Sequence, residues 1–414
     1  MKVLRLIAAL LLVCAVLNLA SCDMPEDIDS DSTSDNSIPV LSITLSGKNT
    51  IDHINIFDYI DGTYSLTGGR MNISDQKIRI KGRGNSTWTH PKKPYAIKLE
   101  QSTDLLGMGS AKNWVLLANY WDKTLLRNYL TLTLGRDMGL EFTPECRFVD
   151  LYINGEYRGN YLLTEKIEIG KNRVDLGNSG VLCEIDSRHN HFNDNYYDTP
   201  MKVHITFKEP GEDIISGTVK EYLINKIKDA EASLRRGYNE YSKHIDVDSF
   251  VNWYILNELV KNYDSKFVTS CYFYMDNAGI IHMGPIWDYD TCMGNQITGD
   301  RTENPVGWHV SQAPWYHELT YDKTFMEKVR QRWAQIRNEG IIDSIFTNID
   351  QMSKYIEKSR IENFKVWPDA MMHTELRRRE SKFTYEEEIA HLKNFLKRRI
   401  SWMDGVLEYK KYKN

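Results

Sequence analysis

Apolar and polar positions alternate in short runs from Ile38 to about Leu99. "PVLSITLSG", "QKIRIKGRG" and "YAIKLE" each step with period two, and Gly and Pro separate them. That period puts one side of each run into a core, so the pattern predicts β-strands. The period then changes. Asp122 to Gly139 carries Leu125, Leu126, Tyr129, Leu132 and Leu134 as an apolar face, with Asp122 able to cap the start and Gly139 to stop the helix. "RFVDLYINGEYRGNYLLTEKIE" reads as two strands around Asn154-Gly155, residues that accept the left-handed angles of a tight hairpin. "GVLCEID" is a further strand. After about Gly217 the spacing is helical over 218–235, 247–263, 323–338, 341–360 and 384–408, with "SCYFYMD" and "IIHMGPIWD" as strands between. The expected architecture is α+β and two-lobed: a β-rich lobe at 38–216 with one helix, then a mostly helical lobe at 217–414 with one inserted hairpin.

The first residues follow another logic. Lys2 and Arg5 precede an apolar run from Leu6 to Leu17 that is too short for a spanning helix, and the run ends in Leu19-Ala20-Ser21-Cys22. This resembles a bacterial lipoprotein signal, 1–21, with Cys22 as the lipidated residue. The acidic, aromatic-free stretch 22–37 cannot bury enough surface to fold and reads as a tether. It resembles the export signal of surface lipoproteins in Bacteroidetes-type bacteria. The expectation is a lipid anchor in the bacterial envelope, at the outer membrane or cell surface.

Length and charge narrow the field. The 414 residues suffice for one large two-lobed domain or two ordinary ones. The net charge of −5 comes from mixed basic and acidic residues, which argues against nucleic acid as a partner. Cys146, Cys183, Cys271 and Cys292 form no C-x-x-C pair, which argues against a zinc site.

Three stretches carry chemistry. In Gly82-Arg83-Gly84-Asn85-Ser86-Thr87, glycines let backbone N–H groups approach anionic oxygens, and Asn85 and Ser86 add polar groups. Lys98 follows on the next strand, where an ammonium can reach phosphate. Lys92 and Lys93, among prolines, read as loop charges. Asp264 ends the apolar helix of "NELVKNYD". Asp288 and Asp290 in "WDYD" follow a strand, and in extended backbone they point the same way, toward one hard cation. Glycine loop, strand lysine, helix, hairpin, Asp, hairpin, Asp is the part order of a protein kinase. Other readings stay open: a glycan-binding or adhesion lipoprotein using some of the ten Trp and 24 Tyr, an inactive pseudokinase, or a glycoside hydrolase pairing Glu258 or Asp264 with Asp288.

"KGRGNSTWTHPKKPYAIKL", "NWVLLANYWDKTLLRN", "YINGEYRGNYLLTEKIE", "DVDSFVNWYILNELVKNYD" and "GPIWDYD" resemble the spore coat protein H (CotH) kinase family, an atypical kinase-like group. The resemblance runs from about Ile38 to the C-terminus. It implies a kinase-like fold and Mg-dependent transfer of the ATP γ-phosphoryl group to a Ser or Thr of a protein. Lys98 would hold the phosphates, with Gly82, Gly84, Asn85 and Ser86 near them and Arg127 as a further candidate. Asp264 would be the catalytic aspartate, and Asp288 would hold magnesium with Asp290 beside it. Glu165 could orient Lys98 or merely cap a strand. Two departures stand out: Thr269 replaces the Asn expected five residues after Asp264, and Ser265 replaces a glycine.

Overall fold

A computed structural model describes residues 37–69, 72–84, 86–177, 179–187, 195–210, 217–295, 302–372 and 384–413. The signal, Cys22 and the tether lie outside them, as does Asn85. The fold is mixed α+β, with a β-rich N-terminal region and a helical C-terminal region.

Seven alternating segments become β1 (Val40–Leu45), β2 (Ile60–Thr67), β3 (Ile73–Gly82), β4 (Tyr95–Asp104), β5 (Ser110–Leu117), β6 (Cys146–Ile153) and β7 (Glu156–Glu165). They close into a barrel in the order β1-β2-β3-β4-β5-β7-β6, with β6 returning parallel to β1. The apolar half of each alternation fills it: Leu41, Ile43, Leu66, Ile78, Ile80, Ile97, Leu99 and Trp114 are all buried there. The polar half therefore faces outward, which puts Arg79, Lys81 and Lys98 on the barrel's outer side. Asn154 and Gly155 turn β6 into β7 with φ of 52° and 82°, as the hairpin reading expects.

Helix α1 (Arg127–Asp137) joins β5 to β6. It starts five residues later than its apolar spacing predicts, because Leu125 sits at a left-handed φ of 61° that no helix accepts. Leu126, not Asp122, takes the cap position, while the Asp122 carboxylate accepts from the Arg127 N–H at 2.7 Å and the Thr124 N–H at 3.0 Å. Gly139, with φ of 73°, follows its end.

The second sheet crosses the lobe boundary expected at residue 216. β8 (Val181–Ile185), β9 (Tyr196–Asp198), β10 (His204–Glu209), β11 (Cys271–Met275) and β12 (Ile281–Met283) pair antiparallel in the order β12-β11-β8-β10-β9. All five residues of β8 are buried, so it needs covering on both faces and neighbours on both edges. Periodicity names such a strand without naming its partners.

The remaining chain folds as α2 (Thr218–Leu234), α3 (Tyr238–Tyr241), α4 (Val247–Val260), α5 (Pro314–Tyr321), α6 (Lys323–Asn338), α7 (Ile341–Tyr355), α8 (Glu357–Val366), α9 (Pro368–Met372) and α10 (Tyr385–Val406). The helix expected over 341–360 is two, parted at Ile356. Helix α4 is apolar on nearly every side and lies in the core. Asp246 caps its start, accepting from the Ser249 N–H at 2.7 Å, and Lys261, at φ 48°, ends it and turns the chain toward Asp264. Among the described residues no helix is long and apolar enough to cross a membrane. Cys146, Cys183, Cys271 and Cys292 are buried free thiols.

A buried ion pair fixes α4 against α10. Arg399 donates to a Glu258 carboxylate oxygen at 2.7 Å, and that carboxylate also accepts from the backbone N–H groups of His309 and Val310. Both side chains are fully buried. Removing one partner strands the other charge, so Arg399→Ala should cost about 3–5 kcal/mol in denaturant unfolding. The joint replacement Glu258→Leu with Arg399→Met should recover most of that loss; a double variant no better than the single one would refute the pairing argument.

Candidate active site

Asp264 is placed by the exit from α4. Lys261 turns the backbone, and Tyr263–Lys266 form one 3-10 turn that buries Asp264 and Ser265. The Ser265 hydroxyl donates to the Asn262 carbonyl at 2.7 Å, closing this turn, and Ser265 has no positive φ. A serine is therefore compatible with the backbone where the family pattern leads one to expect glycine.

Asp288 approaches from the other side. The chain leaving β12 passes α1 so closely that a Cβ on Gly135 would stand 2.5 Å from Ile286 Cδ1. That contact explains a glycine inside a helix, which otherwise costs ~0.5–1 kcal/mol. Asp288 then adopts a φ of 67°, so the extended backbone assumed for Asp288 and Asp290 is not what forms. The turn is instead held by three asparagines. Asn128 on α1 accepts from the Tyr289 N–H at 2.7 Å, the Asn262 amide donates to the Asp288 carbonyl at 3.1 Å, and the Tyr289 hydroxyl donates to Asn257 on α4 at 3.1 Å. Sequence reasoning missed all three, although they stand in the stretches "LLRN" and "NELVKN" that it singled out.

Arg127 belongs to this scaffold, not to a phosphate cradle. Its guanidinium is fully buried, pairs with Asp122, and donates to the Cys292 carbonyl at 3.0 Å and the Met293 carbonyl at 3.4 Å. It ties α1 to the segment after Asp290.

Negative charge accumulates where these loops meet. Burial pushes the Asp290 carboxyl well above the usual carboxylate range, and the nearby charges of Asp288, Asp122 and Asp264 push it the same way. The aspartates singled out in the sequence are thus close enough to feel one another, and Asp122 joins them. No group of three His, Cys, Asp or Glu among the described residues has the geometry to hold a metal by itself. One or two carboxylates completed by phosphate oxygens and water is the arrangement magnesium prefers, and this donor set fits it.

The barrel side supplies the opposite charge. Arg83, just past β3, lies over the Trp287 ring at 5.1 Å. Burial lowers its pKa, while the neighbouring Tyr272, Asp288 and Glu184 oppose that. Arg83 thus faces the Asp288 turn, and sequence reasoning passed over it in favour of the glycines beside it. Those glycines have local tasks. A Cβ on Gly82 would sit 2.4 Å from the Trp88 ring, and Gly84 has φ of 89° with Thr87 packed against it. The Gly82 N–H donates to the Asn55 carbonyl and that of Arg83 to the Pro94 carbonyl, so neither amide awaits a phosphate. Ser86 is exposed. Lys98 projects from the outer face opposite Arg79 and Asn113, with no ion-pair partner among the described residues. Lys92 is no loop charge: it is buried over the Tyr161 ring and donates to the Asn160 carbonyl and to Asn363 Oδ1 of α8.

Comparison with known proteins falls on the same elements. The CotH kinase protein family model matches residues 78–403, from β3 into α10. The chain belongs to the CotH kinase protein family. It is also 25% identical over 320 residues to the inner spore coat protein H of Bacillus subtilis (strain 168), an alignment spanning 73% of this chain and 85% of that protein.

Within this CotH kinase protein, two candidate roles drop out. Glu165 does not orient Lys98; it pairs with Arg173 and accepts from the Glu145 N–H at 2.9 Å. Glu258 is locked by Arg399 and backbone amides, leaving it no part in a hydrolytic carboxylate pair. The raised Asp290 value also has a measurable consequence. A native state that holds this proton more tightly than the unfolded chain loses stability as pH rises from the ordinary carboxylate value near 3.8 toward the raised one. Asp290→Asn should therefore raise the melting temperature more at pH 8 than at pH 5 when magnesium is absent. It should also shrink the gain in melting temperature on adding magnesium at pH 8. An unchanged pH profile would remove Asp290 from the acidic centre.

Proposed function

We propose that the chain is an atypical, Mg-dependent kinase that transfers the γ-phosphoryl group of ATP to a Ser or Thr hydroxyl of an envelope or secreted protein. The observation that carries this reading is that the Asp264 loop bonds the Asp288 turn through Asn262, with Asp290 within electrostatic reach of both aspartates and Arg83 over the adjoining Trp287. Family membership supports it.

In this reading Asp264 orients the acceptor hydroxyl and takes its proton, while Asp288, with Asp290, holds magnesium. Magnesium supplies charge neutralisation on the phosphate oxygens. Arg83 and Lys98 bind the donor's phosphates from the barrel side, and Ser86 lies near them. The left-handed turn and its three asparagines keep Asp288 aimed without rearrangement during transfer, which is how positioned charge lowers a barrier. A lipid anchor at Cys22 would hold the reaction at the envelope.

The test uses ATP labelled on the γ-phosphate in parallel with ATP labelled on the α-phosphate, with magnesium and a generic acceptor protein. Asn is the informative replacement at Asp288, because it tolerates the left-handed angle that Ala strains against. Asp264→Asn and Asp288→Asn should each lower γ-label transfer by at least ~100-fold, with far-UV circular dichroism unchanged. Label arriving from the α-phosphate would mean nucleotidyl transfer. Full activity in both variants would sink the site assignment.

A further inference from the structure

The outer face of β3 carries two cations, Arg79 and Lys81, that the reaction itself leaves unused. Arg79 and Lys81 occupy alternate positions on β3 and so share one side of the strand, and Arg83 follows just past its end. Arg79 stands directly opposite Lys98 on β4. Like charges facing across a strand pair destabilise a sheet. Among the described residues neither Arg79, Lys81 nor Lys98 forms an ion pair. Asp61 lies opposite Arg79 on β2 without closing one, while Glu100 is taken by Lys77 and Glu168 by Lys166. The Tyr59 ring supports the row from one side, with Lys81 5.0 Å and Arg79 5.7 Å from its centroid. All this occurs on a chain whose net charge is −5.

The row has a direction. Arg83 is its inner end, over Trp287 and beside the Asp288 turn; Arg79 is its exposed outer end. Four residues of chain separate them, up to about 13 Å when extended, and within β3 alternate side chains recur roughly every 6.6 Å. An extended peptide can follow such a span, since its own alternate side chains repeat at the same spacing.

We infer that the β3 face is an acceptor-docking track: Arg79 and Lys81 bind an extended acidic segment, with carboxylates at alternate positions, that leads the acceptor hydroxyl past Arg83 to the centre. This rests on the kinase reading for what happens at the centre, but docking can be measured without any transfer. Lys98 and Arg83 stay with the donor, so the track's own residues are Arg79 and Lys81.

The experiment is fluorescence anisotropy on the chain without nucleotide, using labelled peptides of equal length that carry one Ser and either Glu or Lys at alternate positions. The Glu peptide should bind at least about tenfold more tightly, with affinity falling as salt rises. Arg79→Glu with Lys81→Glu, both on the surface, should reverse the preference and leave the thermal shift caused by Mg-ATP intact. Equal binding of the two peptides would overturn the proposal while leaving the kinase reading untouched. Loss of the Mg-ATP shift in the double variant would overturn it too, since the row would then belong to the donor site. Tighter binding of a single-stranded oligonucleotide of the same charge would overturn it in favour of nucleic acid. If the peptide binds as expected but no label is ever transferred, the docking track stands and the kinase reading fails.

Discussion

One buried guanidinium makes the acidic centre possible. Burial raises the Asp290 carboxyl first, and the charges of Asp288, Asp122 and Asp264 add to it, since carboxylates gathered out of water lose hydration and repel one another. Arg127 answers part of that. It neutralises Asp122, and through the Cys292 and Met293 carbonyls it fixes the segment that follows Asp290. It works from α1, the same helix whose Asn128 holds the Tyr289 N–H and whose Gly135 admits Ile286. One helix between two barrel strands therefore sets both the position and the electrostatics of the far loop. The remaining negative charge is what a hard cation would neutralise.

The sequence made the secondary structure readable wherever periodicity and capping agreed. Strands β1, β3, β4, β6 and β7, the Asn154-Gly155 hairpin and the long helices stand near their expected places, while β2 and β5 were not singled out. It hid whatever depends on contacts between distant segments. β8 was visible as a strand, but its pairing with β11 follows from burial on all sides, which no local pattern encodes. Lys92 looked like a loop charge because it sits among prolines; its burial depends on Asn160 of β7 and Asn363 of α8. The delayed start of α1 turns on one left-handed residue, Leu125, where no glycine gives warning.

The candidate site divides in the same way. The aspartates were singled out by their order along the chain and by the oxygen ligands that a hard cation takes. Gly82 and Gly84 were legible as special backbone, but their tasks are to admit Trp88 and to turn above Thr87. The cation beside the centre is Arg83, between them. A basic residue flanked by glycines was the available signal, and it yielded to a stronger expectation about glycines and phosphate.

Charge of both signs discriminates among the chemistries that paired carboxylates permit. A glycoside hydrolase needs one protonated and one ionised carboxyl. Its substrate is neutral, however, and gives no reason to set Arg83 over Trp287 beside the Asp288 turn. An anionic substrate meeting a bound cation needs both: carboxylates for the metal and, across from them, cations for the oxygens the metal leaves uncovered. Phosphoryl transfer has that requirement, because its reacting group is charged before, during and after the step. Lys98 without a carboxylate partner fits the same logic. A lysine already paired would have to exchange one anion for another, whereas Lys98 on its strand keeps its charge available to whatever anion enters.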